Sequence, residues 1–138
     1  MKNRFFGMGV LVLALAFGMM AAGCDDGNGN GGGVNYLDTM GLSTADPNAA
    51  ALLIGDITLA QFNQVKGLLS GFQGWSTFDG DLNLIWTGRT QSQVDIAIST
   101  LEGFAWSSSK SWGYDFDPSE QSVGGYYIPA GTLWIYFY

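Results

Sequence analysis

With no histidine and a single cysteine in 138 residues, the chemistry open to this chain is that of carboxylates, phenols and hydroxyls. Every catalytic triad or metal centre that depends on imidazole is excluded. One cysteine builds neither a disulfide framework nor a thiolate zinc site. Two groups of carboxylates stand at short spacing: Asp79 and Asp81 flank Gly80, and Asp115, Asp117 and Glu120 bracket Pro118-Ser119. Paired carboxylates act as general acid and base where burial separates their pKa values, and oxygen ligands at alternate positions suit a hard cation such as calcium. Aspartates beside Gly, Pro and Ser are more often backbone hydrogen-bond partners in turns, and the second cluster lacks the full twelve-residue calcium-loop pattern. The expectation is no catalytic residue, no metal and no cofactor.

Aromatic side chains are the other candidates. In the C-terminal segment Leu133, Ile135 and Phe137 alternate with Thr132, Trp134, Tyr136 and Tyr138, so a strand there sends the two sets to opposite faces. The aliphatic set with Phe137 is expected to pack on the core. The other set either shields the sheet from water or forms a binding surface, since amphipathic aromatics give contact area at low entropic cost. Trp134, Tyr136, Tyr138 and Trp112 are the candidate binding residues.

The elements that position these residues show a repeat at an offset of 32. Thr58-Leu59-Ala60-Gln61-Phe62 lies over Thr90-Gln91-Ser92-Gln93-Val94, and Leu69-Ser70-Gly71-Phe72 over Leu101-Glu102-Gly103-Phe104. Each copy starts with Thr followed three residues later by Gln, the capping-box spacing, and ends at a glycine suited to a helix C-terminus. Phe62, Val65, Leu68 and Leu69, and then Val94, Ala97, Ile98 and Leu101, keep the spacing of one buried helix face. Helices are predicted over 59–70 and 91–102. Asp79-Gly80 predicts a type I′ hairpin between strands at Trp75–Phe78 and Asp81–Thr87. Further strands are predicted at Phe104–Ser108, Trp112–Phe116, Gly125–Ile128 and Thr132–Tyr138. The fold class is α+β: a two-layer sandwich with both helices on one face of an antiparallel sheet of four to six strands, with an α-β-β repeat at that offset.

The N-terminus carries an address. Lys2 and Arg4 precede an uncharged run from Phe5 to Gly23 with Val10, Leu11, Val12, Leu13 and Leu15 at its apolar centre, which is a signal-peptide pattern. The run is also long enough for a membrane span, but Ala21-Ala22-Gly23 places small residues directly before Cys24. This resembles the lipobox of bacterial lipoproteins, with Ala21 where leucine is usual. The resemblance implies cleavage before Cys24 and acylation of its sulfur and its new amino group. Two or three acyl chains, at about 0.8 kcal/mol per buried methylene, would hold a small domain on a membrane essentially permanently. Asp25 resembles the inner-membrane retention signal of enteric bacteria.

Residues 1–23 are therefore expected to be a signal peptide and 24–49 a lipidated Gly/Asn-rich tether with an irregular lead-in, leaving 50–138 as a single small domain. Loss of Lys2 and Arg4 leaves Lys66, Arg89 and Lys110 against twelve acids. Such an acidic chain has no basic face for nucleic acid. The paired helices, the Thr90-x-x-Gln93-Val94 to Leu101-x-Gly103 segment and the alternating Trp134-Ile135-Tyr136-Phe137 strand look like the small outer-membrane-assembly lipoproteins of the SmpA/OmlA type and the β-lactamase-inhibitor-like fold. The expected function is a membrane-anchored, non-enzymatic interaction or structural module of the bacterial cell envelope, with an envelope protein as partner. The alternative is a lipoprotein that binds a small ligand, sugar or peptide, on the aromatic strand face.

Overall fold

The computed structural model describes residues 33–106 and 111–138. Cys24, the leader and the Gly/Asn tether lie outside the described residues. The chain is α+β, with helices packed on a four-stranded antiparallel sheet and a second, three-stranded sheet beside it.

In chain order, β1 (Val34–Asn35) runs into a 3-10 helix at Tyr36–Met40, followed by α1 (Ala49–Gly55) and α2 (Leu59–Lys66). Then come β2 (Phe72–Ser76), β3 (Leu82–Trp86) and α3 (Gln91–Glu102). The chain ends with β4 (Trp112–Asp117), β5 (Gln121–Val123), β6 (Tyr126–Ile128) and β7 (Thr132–Phe137). The large sheet has the order β2-β3-β7-β4 and the small one β1-β6-β5.

Both expected capping boxes are formed. Thr58 Oγ1 accepts from the Gln61 amide at 3.2 Å while Gln61 Oε1 accepts from the Thr58 amide at 2.8 Å. Thr90 and Gln93 repeat the exchange at 3.3 and 3.1 Å. Two orphan amides are thereby satisfied at each helix start. The second helix has its predicted bounds, whereas α2 stops at Lys66 rather than at residue 70. Gly67 closes α2, and its amide reaches back to Asn63. Leu68 and Leu69 continue the apolar pattern beyond the helix and pack on the core from the following turn.

Two other local expectations change. The lead-in holds the 3-10 helix Tyr36–Met40, with Leu37 buried, and α1 begins at the lead-in's last residue, Ala49, where Asn48 Oδ1 accepts from the Ala51 amide at 2.9 Å. Residues before 50 therefore contribute to the packed body, Leu37 among them. Phe104–Trp106 is not a strand, since the amides of Phe104 and Trp106 turn back onto the carbonyls of Leu101 and Phe104. Both rings instead pack against the core, and the Trp106 indole donates to the Leu101 carbonyl at 3.0 Å. Residues 107 and 108, the end of that expected strand, lie outside the described residues. The hairpin forms with strands at Phe72–Ser76 and Leu82–Trp86, and Asp79 and Gly80 both take positive φ, 57° and 80°, as a type I′ turn requires. Asn83 holds this loop by donating to the carbonyls of Phe78 and Asp81, each at 2.9 Å.

The repeat survives in the topology rather than in the spacing. Each capped helix is followed by two strands of the large sheet, β2 and β3 after α2, and β4 and β7 after α3. The order β2-β3-β7-β4, with β3 antiparallel to β7, places the two units about a pseudo-two-fold axis between the central strands. The offset of 32 is lost after α3 because α3 is longer than α2 and the β5-β6 hairpin intervenes before β7.

The main core lies between helices and sheet. Leu82, Leu84 and Trp86 of β3 and Leu133, Ile135 and Phe137 of β7 meet Phe62 and Val65 of α2 and Val94, Ile98 and Leu101 of α3. Period-two alternation on the strands and helical spacing on the helices thus converge on one apolar layer. A second, smaller core fills the opposite face, where Ile85 and Trp134 are covered by Leu37 together with Tyr36, Met40 and Leu42.

Candidate functional site

Across β7 the sheet presents two unlike faces, and the candidate binding residues divide between them. Trp134, Tyr136 and Tyr138 share the face away from the helices, as alternation predicts. Trp112 lies on the other face, in register with Phe137, and packs against the main core. Trp134 is only 4% exposed, so it is a core side chain and offers no open surface. Its cover comes from Tyr36, whose ring centroid lies 6.3 Å away, and from Leu37. Tyr136 and Tyr138 are half-buried and stack on each other at 6.0 Å.

The covering segment is tied down at both ends. β1 pairs in parallel with β6, and Tyr36 meets Tyr126 edge to face at 6.2 Å. Burial, followed by the effect of Tyr126, raises the Tyr36 phenol above its ordinary value. At the far end Ser43 and Trp75 exchange two backbone hydrogen bonds of 2.9 Å, and the Trp75 indole donates to the Ala45 carbonyl at 2.7 Å. Gly74 permits that approach: with φ at 146° and Leu42 Cβ only 2.8 Å from where its own Cβ would stand, no larger residue fits. The β2 edge of the sheet is therefore bridged at Trp75 by the chain itself.

On the opposite edge, β4, no described residue makes such a bridge. Ser111 and Tyr138 exchange backbone hydrogen bonds of 3.1 and 3.0 Å. In an antiparallel ladder this phase makes 113, 115 and 117 the hydrogen-bonded partners of β7 and turns the amides and carbonyls of Trp112, Tyr114 and Phe116 outward. Among the described residues no strand pairs with that outer side. Trp112, Tyr114 and Phe116 are half-buried at the margin of the main core, so the edge offers backbone groups and an aromatic flank together.

The carboxylate cluster is carried by the same strand. Asp115 and Asp117 lie two residues apart on the face away from the helices, opposite Trp134 and Thr132. Burial, and secondarily the charge of Asp117, pushes the Asp115 carboxyl up to about 6 from its ordinary 3.8. Burial also raises Asp117, whose Oδ2 is buried without a hydrogen-bond partner among the described residues. Glu120 stands on the exposed turn beyond Pro118. Among the described residues no three His, Cys, Asp or Glu side chains come together as a metal-holding group. Asp79 is exposed in its turn and Asp81 is half-buried.

On the helix side, Leu52, Leu53 and Ile57, together with Ala49, Ala105 and Trp106, line a shallow apolar pocket of about 590 Å³. Leu53 projects into solvent there, 73% exposed. Neither α1 nor the inward turn of Trp106 was expected from sequence, and this pocket needs both. The open β4 edge was missed as well, because strand order is a long-range property.

Comparison with protein-family models, with curated proteins and with solved structures finds no match to this chain. No helix among the described residues is long and apolar enough to cross a membrane.

Proposed function

We propose that this chain is a bacterial lipoprotein anchored through Cys24, and that its folded body is a non-enzymatic interaction module of the cell envelope. The module takes up an extended partner segment on the outer edge of β4. The open edge carries this reading: three outward-facing residues, Trp112, Tyr114 and Phe116, offer backbone groups that no described residue pairs, beside an aromatic flank. Strand addition draws affinity from main-chain hydrogen bonds and specificity from alternate side chains. The small residues before Cys24 and the basic, then apolar, leader support the anchor.

Two measurements test the proposal. Cys24→Ser should accumulate as an unprocessed precursor, while the natural chain labels with fatty acid; a natural protein without lipid by mass spectrometry overturns the anchor. Tyr114→Pro removes an outward amide and leaves the β4–β7 ladder intact, since proline is tolerated at such edge positions. Crosslinking pull-downs from the native envelope should lose their partner with this variant, and an unchanged partner overturns the edge.

A second reading, binding of a small apolar ligand, is favoured by the Leu52–Leu53–Trp106 pocket, whose volume lies in the range of ligand sites. An apolar fluorescent probe displaced by Leu53→Asp would support it.

A further inference from the structure

We infer that the strand added to the β4 edge is the β4 strand of a second copy of this chain, joined antiparallel about a two-fold axis through Tyr114. The inference rests on the edge reading above and names its partner.

The argument is one of register. Hydrogen-bonded pairs across the new seam must join outward-facing residues, so Trp112, Tyr114 and Phe116 of one copy meet the same three of the other. With Tyr114 opposite the partner copy's Tyr114, Trp112 falls opposite Phe116 and Phe116 opposite Trp112. All three aromatic positions then find an aromatic opposite, the kind of cross-strand pair that stabilises sheets. On the other face this register sets Asp115 opposite Gly113 and Asp117 opposite Ser111, so no carboxylate faces another directly. A shift that brings Tyr114 opposite Phe116 places Asp115 opposite Asp115, where like charges repel. The segment Ser111-Trp112-Gly113-Tyr114-Asp115-Phe116-Asp117 is thus complementary to its own reverse in the register centred on Tyr114 and opposed in the one centred on Asp115, while the one centred on Gly113 pairs Trp112 with Tyr114 but leaves Phe116 without an aromatic opposite.

The fold supplies the geometry for closure. β2, at the far edge, is bridged at Trp75 by Ser43, so sheet extension through β4 ends at two copies rather than running on. A two-fold contact of one patch with itself is the commonest way soluble proteins form dimers. The product is a continuous eight-stranded sheet with helices on one face.

The test is disulfide trapping in the full chain. Hydrogen-bonded antiparallel partners lie about 5.5 Å apart at Cα, within the reach of a disulfide. Tyr114→Cys should give, on oxidation, one new band at twice the monomer mass that reductant removes. Phe116→Cys alone should give none, because its two copies stand four residues out of register, while Trp112→Cys combined with Phe116→Cys should restore the band. If Tyr114→Cys fails to fold, Ser111→Cys with Asp117→Cys reports the same register from residues outside the main core. A mixed disulfide between Tyr114→Cys and a protein of different mass overturns the second copy while keeping the edge. No adduct with any of these folded variants, with partner retention unchanged in Tyr114→Pro, overturns both. Equal dimer bands from Tyr114→Cys and Phe116→Cys overturn the register.

Discussion

The ring of Tyr136 occupies the space that any side chain at Gly113 would need. A Cβ at Gly113 would stand 2.7 Å from Tyr136 Cε2 and 2.8 Å from its hydroxyl oxygen. The two residues are direct partners across β4 and β7, and Tyr136 goes on to stack with Tyr138. An aromatic ring laid over a cross-strand glycine shields backbone that glycine leaves bare.

Gly113→Ala is therefore expected to force Tyr136 aside and to destabilise the domain by about 1–3 kcal/mol, the usual range for overpacking. In a Tyr136→Ala background the same substitution should cost far less, because the obstruction is gone. Equal costs in the two backgrounds, measured by chemical denaturation, would show that the pair is uncoupled.

The helix caps give a second expectation. Thr58→Ala and Thr90→Ala each leave helix-terminal amides unpaired and should destabilise by about 0.5–2 kcal/mol. Replacement by Ser, which keeps the oxygen, should recover most of the loss. Denaturation midpoints compare all four variants directly.

Asp115 makes stability depend on pH. Its folded value of about 6 stands above the ordinary 3.8 expected of the unfolded chain, so between those values the folded state holds a proton that the unfolded state has released. Stability should be greatest below about pH 4, fall as pH rises through 6, and level off above. Asp117, raised in the same direction, adds to the slope. Asp115→Asn should flatten most of this profile and raise the denaturation midpoint at pH 7, and Asp115→Asn with Asp117→Asn should flatten it further. A profile unchanged from the natural chain between pH 4 and 7 would refute the assignment.

What the sequence makes legible here is local. Thr58 and Gln61, or Thr90 and Gln93, meet within one helical turn, so spacing alone reveals both helix starts. The alternation from Thr132 to Tyr138 likewise assigns faces correctly, because period two is a property of the strand itself. Burial on those faces depends on distant chain. Nothing around Trp134 announces that Tyr36 and Leu37 cover it, and Asp46-Pro47-Asn48 reads as a turn although Asn48 caps a helix. Strand order decides which edge stays open, and so the candidate site at β4 emerges only from the assembled sheet. The carboxylates Asp115 and Asp117 were visible as a cluster, but their raised values come from burial that spacing does not encode.

Trp134 and Phe137 carry the last prediction, because they lie on opposite faces of one strand and both are buried, 4% and 1% exposed. A surface role for Trp134 would make its removal cheap. Its place in the second core instead predicts that Trp134→Ala and Phe137→Ala each destabilise by about 3–5 kcal/mol. The two losses should differ in kind. Phe137 touches Trp106 at 5.3 Å between centroids and belongs to the layer shared with the helices, so its truncation weakens the whole domain. Trp134 instead anchors the segment that carries Tyr36, Leu37, Met40 and Leu42, which is also held by the short β1–β6 pairing, the Tyr36–Tyr126 contact, the Ser43–Trp75 bridge and the Trp75 indole on the Ala45 carbonyl. Loss of the indole should release this cover first, as a local opening below the global transition. Hydrogen exchange resolved by residue reads the difference. In Trp134→Ala the amides of Leu37 and Ser43 should exchange many-fold faster than those of β3, whereas in Phe137→Ala both sets should accelerate together. If Trp134→Ala leaves stability and the Leu37 and Ser43 amides unchanged, the second core contributes nothing, and the face beneath Tyr36 and Leu37 is held by backbone pairing alone.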